Sequence, residues 1–262
     1  MFEVRSIRAR LVLQIVVTLA MIPFLIPIYA MVTRSFTGAG WGNYAAVLAV
    51  PGFARFFLNS AIVAGGAIVI IYTATMMAAF GFSKLRVRGK EVFFWLMMAA
   101  LTLPEVVLIA PLYSTAVTLH LLGTFWAVIL PIAALQIPFT VLITRGYVDG
   151  IPDTLFEAAR LDGAGSWRIF WSLLVPLARP MAVALVVLVL INAWNAYLLP
   201  KVFLVDDDLG VVTLLPEFFR RQYNDDIPKV LAASLVTAIP TILAYIGLQK
   251  QFERGMAAGA IK

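Results

Sequence analysis

The chain has 262 residues, of which 62% are hydrophobic and only 13% are charged. A soluble globular domain carries about 25% charged residues, so this composition excludes that class and indicates a membrane protein. The chain contains no cysteine, which excludes a disulfide framework and a thiolate metal site. A net charge of +6 would suit a nucleic-acid partner, but the basic residues gather on one side of the predicted membrane, so we expect no nucleic-acid role.

The apolar residues form six runs, each long enough to cross a bilayer, which takes about 20 residues of helix. The first run is too long for the core of a signal peptide, so we expect it to be a retained span. We therefore predict an all-α polytopic membrane protein with six transmembrane helices in a single domain over residues 1–262. The six runs are approximately Leu11 to Val32, Phe56 to Ser83, Val92 to Ala116, Thr124 to Thr144, Met181 to Val205 and Val230 to Leu248.

Basic residues are unevenly divided between the two sides of this predicted topology. If the N-terminus is cytoplasmic and the chain alternates through six spans, fourteen basic residues are inside and six are outside. This positive-inside bias predicts that both termini lie in the cytoplasm. The inner residues are Arg5, Arg8, Arg10, Lys84, Arg86, Arg88, Lys90, Arg145, Arg160, Arg168, Arg179, Lys250, Arg254 and Lys262. The outer residues are Arg34, Arg55, Lys201, Arg220, Arg221 and Lys229.

The third predicted span contains two prolines, Pro104 and Pro111. A proline removes a backbone donor and tends to kink a helix. Inside a membrane, neighbouring helices or a wet cavity must satisfy the carbonyl that is freed. The pair indicates either a shaped pathway or simple helix packing.

A polar segment over about residues 145–180 separates the fourth and fifth spans. Asp153 or Thr154 is placed to cap a short helix, and Thr154 with Glu157 has the spacing of a capping box. Gly163 is placed to end that helix, because glycine tolerates the left-handed backbone of a helix stop.

A second short helix is predicted to begin at Ser166, after this stop. The first helix has small alanines in its middle and charges of both signs, at Glu157, Arg160 and Asp162. One interpretation is a helix that rests on lipid headgroups, which favours basic residues and a larger apolar face. Mixed charges and little apolar area favour docking into a cleft of a soluble partner.

Five stretches together resemble permease subunits of binding-protein-dependent ATP-binding-cassette importers, in the carbohydrate-uptake branch. The resemblance covers about residues 10 to 262, and within this branch the chain resembles the smaller, second permease of maltose-type systems. The stretches are LPEVVLIAPLY from Leu103, IPFTVLITRGY from Ile137, IPDTLFEAARLDGA from Ile151, INAWNAYLLP from Ile191 and LQKQFERGMAAGAIK from Leu248.

The resemblance implies a heteromeric sugar importer of the bacterial inner membrane. Its partners would be a second permease, two ATPase subunits that bind ATP and Mg, an extracytoplasmic sugar-binding protein and membrane lipid. It also implies that the short cytoplasmic helix couples the ATPases to transport, and that the tail, about residues 249–262, reaches between them. The implied coupling residues are Glu157, Ala158, Ala159, Arg160, Leu161, Asp162 and Gly163.

The chain carries no nucleotide-binding motif of its own. Gly89 and Lys90 are followed by Glu91, where a phosphate-binding loop requires Ser or Thr. ATP hydrolysis is therefore assigned to separate subunits, and we expect neither catalytic residues nor a metal site in this chain.

Four polar residues in the spans are candidates for the pathway: Glu105, Asn192, Asn195 and Tyr197. A charge inside a membrane usually faces a cavity or a partner. Amides and an aromatic ring suit sugar hydroxyls and CH surfaces, but amides also form hydrogen bonds between helices. The alternative to a pathway role for Glu105 is a position near a helix end or a pairing with a neighbouring subunit. An ion-coupled transporter is the main rival function, and one Glu is too few for its proton relay; a membrane enzyme lacks a nucleophile–base pair.

Overall fold

The computed structural model describes residues 7–220 and 226–260, and gives the backbone alone at 7–8, 207 and 250–260. Within these residues the chain is helical and has no strand, which confirms the all-α class. Arg5, Arg221 and Lys262 from the predicted charge distribution lie outside the described residues.

Twelve α-helices are assigned in the described part of the chain. They are α1 (Ile7–Ser35), α2 (Trp41–Leu48), α3 (Phe53–Lys84), α4 (Lys90–Ala99), α5 (Glu105–Thr118), α6 (Trp126–Asp149), α7 (Asp153–Leu161), α8 (Ser166–Ile169), α9 (Val175–Leu177), α10 (Arg179–Trp194), α11 (Leu198–Phe203) and α12 (Ile227–Ala260). A π-helical segment, Phe170–Leu174, joins α8 to α9, and 3-10 turns occur at Ala100–Thr102, Asp207–Leu209 and Val212–Phe219. The tail predicted at 249–262 has helical backbone as far as Ala260.

Among the described residues, four helices are long and apolar enough to cross a membrane, at Ala9–Ser35, Phe53–Lys84, Trp126–Asp149 and Ile227–Gln249. These are the first, second, fourth and sixth predicted spans. Two bent helix pairs raise the number to six if each pair is one span. The pairs are Lys90–Thr102 with Glu105–Thr118, bent by 106°, and Ser166–Leu177 with Arg179–Trp194, bent by 77°.

The third predicted span, Val92 to Ala116, is broken rather than continuous. Proline restricts the residue before it to extended backbone, and Leu103 accordingly has φ −86° and ψ 121°. Pro104 also lacks the N–H that would continue the helix. Helix α5 therefore starts afresh at Glu105 in a new direction.

The fifth predicted span, Met181 to Val205, was placed too far along the chain. Helix α10 ends at Trp194. The Asn195 side chain then donates to the Ile191 carbonyl over 2.8 Å, and the Asn195 backbone N–H bonds to the same oxygen over 3.1 Å. An Asn side chain that bonds to nearby backbone competes with continuation of a helix.

The chain forms two compact units, Met1–Phe53 with Pro216–Thr237 and Ala54–Leu215 with Ala238–Lys262. The single permease domain stays a prediction. In the second unit, a buried apolar cluster joins α3, α6, α10 and α11. Within this unit, a hydrogen bond of 2.7 Å also joins the buried hydroxyls of Thr75 and Thr140.

A second apolar cluster in the same unit holds α7 in place. Phe156 of α7 is 1% exposed. It belongs to a buried cluster with Met76 and Phe80 of α3, Val148 of α6 and Phe170 of the π-helical segment. Burying a Phe side chain is worth roughly 1.5–3 kcal/mol, so this residue is the apolar anchor of a helix that is otherwise largely exposed.

Lys84, the last residue of α3, supplies a polar anchor for α7. Its side chain is 3% exposed, and its ammonium group donates to the Ile151 carbonyl and to the Asp153 carboxylate, each over 2.7 Å. The ammonium also lies 5.0 Å from the centre of the Phe156 ring. In return, Arg160 of α7 donates to the Lys84 carbonyl over 2.8 Å.

Lys84 also sets the protonation of its partner. The hydrogen bond from Lys84 and the positive charge of its ammonium lower the pKa of the Asp153 carboxyl below its ordinary value. Because the folded pKa lies below the unfolded one, the pair contributes stability at neutral pH and loses it as the pH falls through the lowered pKa. The anchor is therefore intact at physiological pH.

We predict that Lys84→Met, which keeps the apolar stem but removes the ammonium, loosens α7. A hydrogen bond from a charged donor, such as that to the Ile151 carbonyl, contributes about 1.5–3 kcal/mol. Amide hydrogen exchange in residues 153–161, measured by mass spectrometry on the purified complex, should accelerate by about tenfold or more. Lys90→Met is the control, because Lys90 bonds to the Leu85 carbonyl and not to α7. Unchanged exchange in the Lys84 variant would contradict the anchor.

Candidate functional site

Helix α7 begins differently from the sequence prediction. Its N-cap residue is Pro152, which makes no side-chain cap, and Asp153 is the first helical residue. The capping box predicted for Thr154 and Glu157 is therefore wrong, because the helix starts one residue before Thr154. The Asp153 carboxylate lies in the first turn, where the positive end of the helix dipole stabilises its negative charge.

The end of α7 is as predicted. Gly163 has φ +76°, in the left-handed region. The Gly163 N–H bonds to the Arg160 carbonyl and the Ala164 N–H bonds to the Ala159 carbonyl, each over 3.0 Å. These two bonds are those of a Schellman motif, which closes a helix on a glycine. The second helix then begins at Ser166, also as predicted.

The remaining faces of α7 are open. Glu157, Ala158 and Asp162 are exposed, and the apolar Leu161 is 88% exposed. The helix therefore presents a surface of mixed charge with an apolar side chain in it, while Phe156 fixes the opposite face to the protein.

A groove of about 570 Å³ runs beside this exposed surface. Glu157, Arg160 and Leu161 of α7 line one side of it, and Leu85 and Arg86 of the turn between α3 and α4 line the other. The contribution of the turn was missed from the sequence, since nothing local in residues 84–90 indicates a contact with a helix some 70 residues later.

The four predicted pathway residues lie together around a different cavity, of about 460 Å³. Its lining is formed by Glu105, Ile132, Leu135, Gln136, Ile191, Asn192, Asn195, Ala196, Tyr197, Leu198 and Leu199. Two helix ends lie at this cavity: α5 begins with Glu105 after the break in the third span, and the segment between α10 and α11 supplies Asn195 to Tyr197.

The polar groups of the cavity keep hydrogen-bonding capacity. Asn192 and Asn195 each donate one amide hydrogen to the carbonyl four residues earlier, over 2.9 and 2.8 Å. The Tyr197 hydroxyl receives a bond of 2.6 Å from the Lys201 ammonium. The two amides therefore keep an oxygen and a further N–H that can form other hydrogen bonds.

Gln136 is a cavity residue that sequence reasoning missed. It lies in the middle of the apolar helix α6, and its Oε1 is buried without a hydrogen-bond partner among the described residues. A polar side chain in the middle of a membrane span is by default a functional candidate, and that signal was present in the sequence. In the described part of the chain, no three His, Asp or Glu side chains group as a metal site.

Comparisons with known proteins identify the family. The family model described as "binding-protein-dependent transport system inner membrane component" matches residues 70–258 of this chain. The probable ABC transporter permease YurM of Bacillus subtilis is 35% identical over 80% of this chain and 70% of its own length. The diacetylchitobiose uptake permease NgcG of Streptomyces coelicolor is 30% identical over 84% and 74%. The arabinooligosaccharides permease AraQ of Halalkalibacterium halodurans is 31% identical over 79% and 74%.

The fold agrees with this assignment. A chain of a bacterial ABC transporter that imports the acidic polysaccharide alginate superposes with a TM-score of 0.78, at 22% identity, over 96% of this chain and 99% of that one. Because the chain is a member of this family, the rival interpretations of the sequence, an ion-coupled transporter and a membrane enzyme, are rejected. The chain belongs to the inner membrane components of binding-protein-dependent transport systems: it is a multi-pass permease subunit of an ABC transporter, and not an enzyme.

Proposed function

We propose that this permease imports a carbohydrate, an oligosaccharide or a sugar derivative, together with a second permease. An extracytoplasmic binding protein delivers the sugar, and two separate ATPase subunits bind ATP and Mg and drive the cycle. The observation that carries this proposal is α7, a short charged helix anchored rigidly on a permease fold with its outer face exposed. A nine-residue helix held in this way is suited to transmit force from a soluble partner.

The proposal that the solute is a carbohydrate rests on the chemistry of the cavity and on the solutes for which similar permeases are named. Glu105, Gln136, Asn192 and Asn195 offer carboxylate and amide groups, and Tyr197 adds an aromatic ring. Amides both donate to and accept from hydroxyls. Two of the similar permeases are named for uptake of diacetylchitobiose and of arabinooligosaccharides.

In the proposed mechanism, α7 transmits closure of the ATPases to the spans. Movement of α7 is passed to α3 through Lys84 and Phe156, and to the α8–α9 segment through the apolar cluster that contains Phe156 and Phe170. Because packed cores are close to incompressible, a displacement of α7 moves its neighbours instead of being absorbed locally. The cavity lined by Glu105, Asn192 and Asn195 then opens to alternate sides of the membrane.

The proposed orientation places α7 and both termini in the cytoplasm. The Lys84–Asp153 contact brings the basic turn at residues 84–90 beside α7, so both segments lie on the same side of the membrane. That turn carries Lys84, Arg86, Arg88 and Lys90, and such clusters favour the cytoplasmic side. The lipid-resting interpretation of α7 is less favoured, since its one buried aromatic side chain packs into protein.

We predict that Gly163→Val reduces sugar uptake and ATPase recovery while the permease still enters the membrane. At φ +76°, a residue with a Cβ costs about 1–2 kcal/mol, and the strain is relieved by tilting the end of α7. Gly165→Val is the matched control, since Gly165 has φ −70° and open space around its Cβ position. Uptake assays and pull-down of ATPase subunits measure both effects. Wild-type values for Gly163→Val would contradict the role of this stop.

We predict that Gln136→Leu and Asn192→Leu impair uptake without weakening assembly. Each change removes a hydrogen bond to the sugar worth about 0.5–1.5 kcal/mol, which raises the KM for uptake roughly 2- to 13-fold. Thr115→Val serves as control, because Thr115 is exposed on α5 and bonds only to the Pro111 carbonyl, outside the cavity lining. If both cavity variants transport normally, the cavity is not part of the pathway.

A further inference from the structure

The turn between α3 and α4 shares a groove with α7, and the function proposed above uses this turn only for its basic charge, which favours the cytoplasmic side. Leu85 and Arg86 face Glu157, Arg160 and Leu161 across about 570 Å³ of open space. A partner that docks on α7 at this side therefore meets the turn as well.

The two walls of the groove are fixed to one another. The Lys84 ammonium bonds to Asp153 at the start of α7, and Arg160 near the end of α7 bonds back to the Lys84 carbonyl over 2.8 Å. Leu85 and Arg86 follow Lys84 directly in the chain. The groove is thus a single preformed surface, and a partner would not have to order two independent segments on binding.

The charges of the groove are incompletely balanced. Lys84, which precedes the groove residues of the turn, is neutralised by Asp153. Within the described residues, neither Arg86 nor Arg160 has a carboxylate oxygen within 4.0 Å. Two guanidinium groups against the single carboxylate of Glu157 leave the lining with a net positive charge.

We propose that this groove is the second half of the ATPase-docking surface, and that Arg86 binds an acidic side chain of the ATPase subunit there. A guanidinium group forms two parallel hydrogen bonds with a carboxylate, which gives geometric specificity. The exposed Leu161 supplies the apolar contact beside it. The inference rests on the proposed function, because it takes α7 as the ATPase-facing helix.

Anionic lipid is the other chemistry that an exposed arginine of this turn would suit. Lipid headgroups attract basic residues near a membrane surface through a diffuse field, about 1 kcal/mol for each residue. Arg88 lies two residues from Arg86, is also exposed and is absent from the groove lining. A lipid field would act on Arg86 and Arg88 alike, whereas of these two only Arg86 lines the groove.

The test compares Arg86→Glu with Arg88→Glu in the permease pair reconstituted in nanodiscs of constant lipid composition. Purified ATPase subunits are titrated, and their Kd is measured. We expect Arg86→Glu to weaken ATPase binding about 30-fold or more, as for loss of a desolvated charge pair, and Arg88→Glu to change it less than about threefold. Equal weakening by both changes, or no weakening by Arg86→Glu, would overturn the inference.

A third variant separates this inference from the proposed function. Glu157→Ala removes the α7 carboxylate and leaves the turn unchanged. If Glu157→Ala weakens binding and Arg86→Glu does not, the groove inference fails and α7 keeps its role. If neither change affects the Kd, both proposals fail. The melting temperature of each permease variant, expected to equal that of wild type, checks that the exposed substitutions leave the fold intact.

Discussion

The rest of the structure depends on how a short polar helix is fixed to apolar spans. A helix of nine residues is marginal in water by itself, and α7 has neither a side-chain cap at its start nor a large buried face. Its position is set by one aromatic residue, Phe156, and by the buried ammonium of Lys84. A buried ammonium without partners would be costly, and the Ile151 carbonyl and the Asp153 carboxylate, at the start of α7, satisfy Lys84 in this arrangement.

The cavity follows from a different constraint, the cost of breaking a helix inside a membrane. Non-helical backbone at membrane depth is tolerated where it is buried in protein or lines a cavity. The third span breaks around Pro104, and α10 ends at Trp194; side chains at both places line the same space. These two helix ends bring Glu105 and Asn195 to the same cavity.

Local signals in the sequence were sufficient for much of this fold. Hydropathy predicted four spans that are continuous helices, and Gly163 predicted the end of α7, because the left-handed backbone there strongly favours glycine. Proline predicted a kink near Leu103, but not that it would amount to 106°, since neighbouring helices decide the angle. The Lys84–Asp153 contact spans 69 residues of sequence. Helix α7 begins at Asp153 after Pro152, so Thr154 is already inside the helix and its local capping-box signal was misleading.

The central claim is that the exposed face of α7 contacts the ATPase subunit. A photoreactive benzoylphenylalanine in place of Leu161, which is 88% exposed, tests it most directly in the assembled transporter. The same residue in place of Val106, which is 68% exposed in the broken third span, is the control. We predict a cross-linked product with the ATPase subunit from position 161, identified by mass spectrometry, and none from position 106. Absence of this product from position 161 in complexes that retain their ATPases would contradict the account.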